Sequence, residues 1–316
     1  MRRLILSLVL GSTLSFGACS SSTTNEGPAS GGTGGTSTGG TSTGGTSTGG
    51  TSTGGTSDGG SGGISTGGAS TGGSGGTSAD GGILCPTGKK GPALIAVGSN
   101  FCIDATEVTN HDYQKFLADP VGAGTNLTGL SACQGVLDYA PGTTVACPTF
   151  APGVDQNYPV RCIDWCGAYA YCKWAGKRLC GQVGGGAAGQ PDASTNQWYS
   201  ACAGPKAEET YFYGSSHEGG RCVDAPPVAA VGSTLSGGVG CESFLYPGLT
   251  DMLGNVAEWE DSCANPQSAT SDCGTRGGSA LQVGSAVPCA ASKTVDRSSQ
   301  LPGIGFRCCW DSSVDK

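Results

Sequence analysis

All but one of the seventeen cysteines in this 316-residue chain lie between positions 85 and 309. In an exported chain, sixteen cysteines at that density read as a disulfide framework of up to eight bridges. A zinc cluster is the competing use of so many thiols. It finds no support, because only His111 and His217 are present and no Cys/His zinc spacing occurs. Pairing is not deducible from sequence. By proximity alone we expect Cys85–Cys102, Cys133–Cys147 and Cys263–Cys273. Cys309, next to Cys308, is the first candidate for an unpaired thiol, with bridging still the leading expectation.

The cysteine left over, Cys19, belongs to a targeting segment. Arg2 and Arg3 precede an apolar run from Leu4 to Phe16, and Gly17-Ala18-Cys19 follows, as in a bacterial lipoprotein signal. Residues 1–18 are read as that signal and Cys19 as the lipidation site. The alternative is ordinary cleavage that leaves Cys19 as a spare thiol. The apolar run is too short to span a bilayer. Two or more acyl chains on Cys19 would anchor the chain stably to a membrane. Ser20 carries no inner-membrane retention signal, so the expected address is the bacterial cell envelope, at the outer membrane or cell surface.

Residues 19–83 read as a linker. From Thr36 to Thr56 the unit Thr-Ser-Thr-Gly-Gly repeats, with almost no large apolar side chain. Such a segment buries too little surface to offset chain entropy and is expected to be disordered. A Gly-rich coil of this length spans about 45 Å. Its many hydroxyls also suit a glycosylated stalk. Residues 84–316 are long enough for one domain with its own core. The chain's net charge is −8, with no lysine run or basic-aromatic interleaving, so no nucleic-acid partner is expected.

Within the domain, Leu94–Val97 and Phe101–Ile103 read as an opening strand pair around a Gly98-Ser99-Asn100 turn. Thr109, with Asp112 three residues on, caps a helix that places Tyr113, Phe116 and Leu117 on one face. A second helix starts at Asp164, puts Trp165, Tyr169 and Cys172 on one face, and ends at Gly176. Residues 118–160 and 180–245 lack periodicity and read as long loops pinned by cysteines.

Five blocks then carry a resemblance. They are Ile103 to Asn110, Pro159-Val160 through Trp174 to Leu179, Gly248 to Trp259, Arg276-Gly277-Gly278-Ser279, and Gly305-Phe306-Arg307-Cys308. In this order they resemble the formylglycine-generating (sulfatase-modifying factor) family. The resemblance implies an α+β, C-type-lectin-like fold with little regular secondary structure. It also implies disulfides Cys172–Cys308 and Cys202–Cys289.

Active members oxidise a substrate cysteine using two thiolates and copper, a metal that soft sulfur ligands suit. At the matching positions this chain has Gln282 and Val287, and no cysteine stands between Ser279 and Cys289. The usual tryptophan before Glu258 is Ala257. Ser279, which lines the family's oxygen pocket, is kept, and its hydroxyl is expected to hold backbone in a turn. No catalytic residue is therefore assigned, and copper is not expected.

The resemblance also implies a structural calcium site made by Asp251 and Glu258 side chains with the carbonyls of Gly254 and Val256. Calcium takes hard oxygens, so a carboxylate at each end of a tight turn is sensible chemistry. The competing reading is that Asp251 and Glu258 cap or salt-bridge the turn while Met252, Leu253 and Trp259 fill the core. Arg178, Arg276 and Arg307 are expected to make buried ion pairs, and His111 and His217 to be solvated. The leading reading is an anchored lipoprotein whose catalytically silent domain binds a peptide or glycan in a pocket that includes Ser279 and Gln282. The alternatives are an oxidoreductase of the same superfamily with a non-standard site, and a purely structural envelope protein.

Overall fold

The computed structural model describes residues 82–312 and residue 314, except 121–127, 137, 148–149, 190–191, 234–239 and 283–286. The expected signal at residues 1–18, Cys19 and nearly all of the stretch read as linker lie outside the described residues. Among those described, no helix is long and apolar enough to cross a membrane.

Strands β1 (Leu94–Val97) and β2 (Phe101–Asp104) form the expected antiparallel pair, Leu94 opposite Asp104 and Val97 opposite Phe101. Helix α1 (Asn110–Ala118) starts where Thr109 accepts the Asp112 N–H at 3.1 Å. It buries Tyr113 and Phe116. Helix α2 (Trp165–Trp174) starts where Asp164 accepts the Gly167 N–H at 2.7 Å. It stops at Gly176, whose φ of +70° a side-chain-bearing residue rarely adopts. A Cβ on Gly167 would lie 2.9 Å from the Tyr113 hydroxyl, so the two helices approach only because that position is bare. Tyr113, Phe116, Tyr171 and Phe306 then meet at ring distances of 5.3–6.1 Å. Each such side chain, taken fully out of water, stabilises the fold by about 1.5–3 kcal/mol.

Two four-stranded sheets complete the domain. The first has the order β1-β2-β8-β3, with β3 at Arg178–Leu179 and β8 at Cys308–Trp310. The second has the order β6-β5-β4-β7, from Ala257–Trp259 (β4), Asp272–Arg276 (β5), Ser292–Asp296 (β6) and Ile304–Gly305 (β7). β4 and β7 are parallel; the other pairs are antiparallel. Strand alternation sends neighbouring side chains to opposite faces. Cys308 therefore joins the core around α1 and α2, while Cys309 joins the core around Trp198 and Phe212.

A third helix, α3 (Gln197–Ala203), lies in the stretch read as loop. It has seven residues, too few for a periodic signal, and its start is set by Asn196 accepting the Tyr199 N–H at 2.7 Å. A 3-10 turn at Ser131–Cys133 also interrupts the first long loop.

All sixteen cysteines of the domain are paired, in eight disulfides. Cys85–Cys102, Cys263–Cys273, Cys172–Cys308 and Cys202–Cys289 are among them. The proximity guess Cys133–Cys147 is corrected. Cys133 bonds Cys166, which α2 presents on its buried face, and Cys147 bonds Cys162. Cys309 is not free but bonds Cys180. The last pair, Cys222–Cys241, closes a separation of 19 residues.

Candidate functional site

The motif Gly248 to Trp259 is a compact turn running into β4. Gly248, Asp251, Gly254 and Asn255 all have φ between 49° and 87°. Glycine is required at 254, because a Cβ there would lie 2.4 Å from the Val223 carbonyl oxygen. Asn255 accepts the Ala229 N–H at 2.9 Å and donates to Glu107 at 3.0 Å, tying two distant segments to the turn. Met252, Leu253 and Trp259 are buried in the cores.

Glu258 and Glu260 lie two residues apart and so point to the same side of the sheet. Each meets an arginine. Glu258 accepts from Arg307 Nε at 2.7 Å and Nη2 at 2.8 Å, and from Trp198 Nε1 at 2.8 Å. Arg307 also donates to the carbonyls of Asp104 and Thr250 at 3.0 Å. Glu260 accepts from Arg276 Nε at 2.8 Å and Asn196 at 2.7 Å. Arg178 donates to Asp311 at 2.8 Å, which also accepts from Gln197 at 2.9 Å. Arg178, Arg276 and Arg307 thus form ion pairs that knit the irregular segments.

This donor set does not fit calcium held by Asp251 and Glu258. Both Glu258 oxygens already accept from a guanidinium, and an ion there would sit against that cation in a fully buried site. Asp251 accepts the Gly232 N–H. Among the described residues, no three His, Cys, Asp or Glu side chains gather into a metal-sized group. Among the described residues, Glu107 Oε2 is one of five buried side-chain atoms with no hydrogen-bond partner, and it lies beside this turn. Burial, reinforced by the nearby Asp251 carboxylate, pushes the Glu107 carboxyl well up and favours its protonated form.

Asp261, just beyond β4, is another carboxyl held away from water. Burial pushes it up to about 6, against the pull of Arg178 and Arg297 and with a push from Glu260. A raised carboxyl binds its proton more tightly folded than unfolded. Its stabilising contribution is therefore full below the unfolded value of 3.8 and is lost as pH rises through about 6. Asp261→Asn, which needs no charge buried, is expected to raise stability at pH 7.5 by up to about 3 kcal/mol. At pH 4 the same change is expected to do little. Denaturation midpoints at the two pH values check this; an equal effect at both would remove titration as the cause.

The second feature is a cavity of about 500 Å³ on the other face of β4. Ala257 lies in its wall, as do Ser279, Gln282 and Val287. A tryptophan at 257, as the family resemblance implies, would fill part of this space. Ser279 donates to the Asn255 carbonyl at 3.4 Å and accepts the Leu281 N–H at 3.1 Å, so its hydroxyl holds a turn. Gln282 accepts from Lys293 at 3.1 Å at the exposed rim. The rest of the lining is mostly aliphatic, with Val295, Leu301 and Ile304 prominent. With every cysteine of residues 85–309 in a disulfide, the cavity has no thiolate to offer a copper ion.

The lining supplied by β6 and by residues 301–304 was not anticipated from the sequence, and neither were Trp198 and Gln197 as partners of the ion pairs. The only signal was the apolar spacing of Val295, Leu301 and Ile304, which is too sparse to identify a wall. His111 and His217 are both exposed, and His217 lies 5.5 Å from the Tyr211 ring, outside the cavity lining.

With fold and site in view, the family model sets the class. The family model described as sulfatase-modifying factor enzyme 1-like domain matches residues 66–312, and the chain belongs to that family. The match begins within the stretch read as linker. Among curated proteins, the mouse formylglycine-generating enzyme is 26% identical over 268 residues, covering 70% of this chain and 68% of that protein. Among solved structures, CarF shares 19% identity at a TM-score of 0.42, over 67% of this chain and 86% of its own. PvdO from Pseudomonas aeruginosa shares 18% at 0.41, over 69% and 82%.

Proposed function

We propose that this chain is a lipoprotein anchored through Cys19 in the cell envelope, at the outer membrane or cell surface. Its sulfatase-modifying-factor-like domain is catalytically silent and binds a peptide or glycan in the cavity beside Ser279 and Gln282. The observation that carries the silent reading is the cysteine inventory. Gln282 and Val287 stand where the active family has thiolates, and the domain's sixteen cysteines are all spent on disulfides. What supports binding is a cavity of about 500 Å³, within the range of ligand pockets.

The test is a turnover assay on a Cys-x-Pro-x-Arg peptide with oxygen and copper, paired with alkylation of the oxidised, unfolded protein. No formylglycine and no labelled thiol within 84–316 are expected. Turnover would refute silence, and a labelled pair of thiols would reopen the oxidoreductase reading.

A further inference from the structure

The cavity has an open sheet edge along one side. β6 ends the order β6-β5-β4-β7, so its outer edge faces no strand among the described residues. The Arg297 N–H donates to the Ser271 carbonyl. By the two-residue repeat of an antiparallel ladder, Lys293 and Val295 then turn their backbone groups toward β5, and Ser292 and Thr294 turn theirs outward. Ser292, Lys293 and Thr294 are all exposed. An unpaired edge of this kind is a template for another strand.

The chemistry of the cavity narrows what that strand is. The charged side chains that line it are Arg276 and Lys293, and among the described residues no Asp or Glu does. Arg276 is already paired with Glu260, whereas Lys293 meets a neutral amide, that of Gln282. The chain as a whole is acidic, at −8, so a cation left over at this rim stands out. No aromatic ring lines the cavity among the described residues, and its aliphatic wall offers few groups to sugar hydroxyls.

Building on the binding reading above, we infer that the ligand is a polypeptide in extended conformation that adds to the outer edge of β6. It puts an aliphatic side chain into the cavity and an acidic one beside Lys293. Backbone hydrogen bonds to Ser292 and Thr294 supply affinity, and the cavity and Lys293 supply specificity, as in other strand-addition complexes.

The probe is a set of fluorescently labelled, acetyl-capped peptides of alternating threonine and valine with one leucine and, two residues on, an aspartate, so that both side chains share one face of the strand. Binding to the mature protein is read by anisotropy. Thr294→Pro removes an outward N–H at an edge position where proline is tolerated, and is expected to weaken binding at least tenfold. Lys293→Gln, a change at the exposed rim, is expected to weaken it severalfold and to abolish the preference for aspartate over asparagine. Leucine to alanine in the peptide is expected to weaken it about tenfold. Hydrogen exchange at Ser292 and Thr294 is expected to slow when the peptide is bound.

Peptide binding that folded Thr294→Pro leaves unchanged overturns the edge site but leaves the binding reading intact. Binding of a glycan panel with no peptide binding does the same. Decanoate binding in place of peptide, or self-association through β6, overturns the inference in favour of an amphiphile or a second copy. No binding by any peptide or glycan overturns both readings.

Discussion

Replacing Arg307 with methionine is expected to cost the domain about 3–5 kcal/mol. The guanidinium and Glu258 are each fully buried and bound at two points, at 2.7 and 2.8 Å. Removing the cation strands the Glu258 carboxylate where water cannot reach it, and leaves the carbonyls of Asp104 and Thr250 without that donor. Such a loss is a large part of the 5–15 kcal/mol that holds a typical domain together. Glu258→Leu with Arg307→Met is expected to recover much of it, because neither charge is then buried alone. Urea midpoints of the three proteins measure the cycle. A loss below about 1 kcal/mol for the single variant would show that the pair is not the anchor of the turn. The same measurement in calcium and in chelator separates the two uses of Glu258. We expect superimposable curves; strong destabilisation by chelator would restore a calcium role for Asp251, Gly254, Val256 and Glu258.

Cutting the two disulfides of β8 is expected to be the next most damaging change, and to outweigh cutting a short one. Cys172–Cys308 and Cys180–Cys309 close separations of 136 and 129 residues. In the chain-entropy account, each contributes about 5 kcal/mol by restricting the unfolded chain. Cys263–Cys273, which closes a separation of 10, contributes about 3 kcal/mol on the same account. Replacing each pair with alanines and comparing denaturant midpoints ranks them. If the short pair costs as much as either long one, native packing around the cysteines outweighs loop closure. The two long bridges also differ in what they tie. Cys308 enters the core of α1 and α2 and Cys309 the core of Trp198 and Phe212, so β8 is stitched to both.

The sequence carried the family and the two longer helices. Those signals are local. Thr109 and Asp164 cap helices through N–H groups three residues away, and the five blocks hold their own spacing. That residues 282 and 287 are Gln and Val, and that no cysteine stands between Ser279 and Cys289, is likewise a matter of residue identity alone. The sequence also identified Arg178, Arg276 and Arg307 as ion-pair formers, because an arginine amid long loops needs an acid nearby.

Tertiary structure alone decided the partners. Arg307 finds Glu258 from 49 positions away, and Arg178 finds Asp311 from 133. Cys133 passes over Cys147, its nearer neighbour in the chain, to reach Cys166, because α2 turns that side chain toward the 3-10 turn. The pairing of Glu258 with Arg307 and the cavity walled by Ala257 also exist only once β4, β5, β6 and β7 lie side by side. Capping and motif spacing are set within a few residues of backbone. Ion pairing, disulfide partners and cavity shape depend on which distant segments share a core, and composition along the chain holds no record of that.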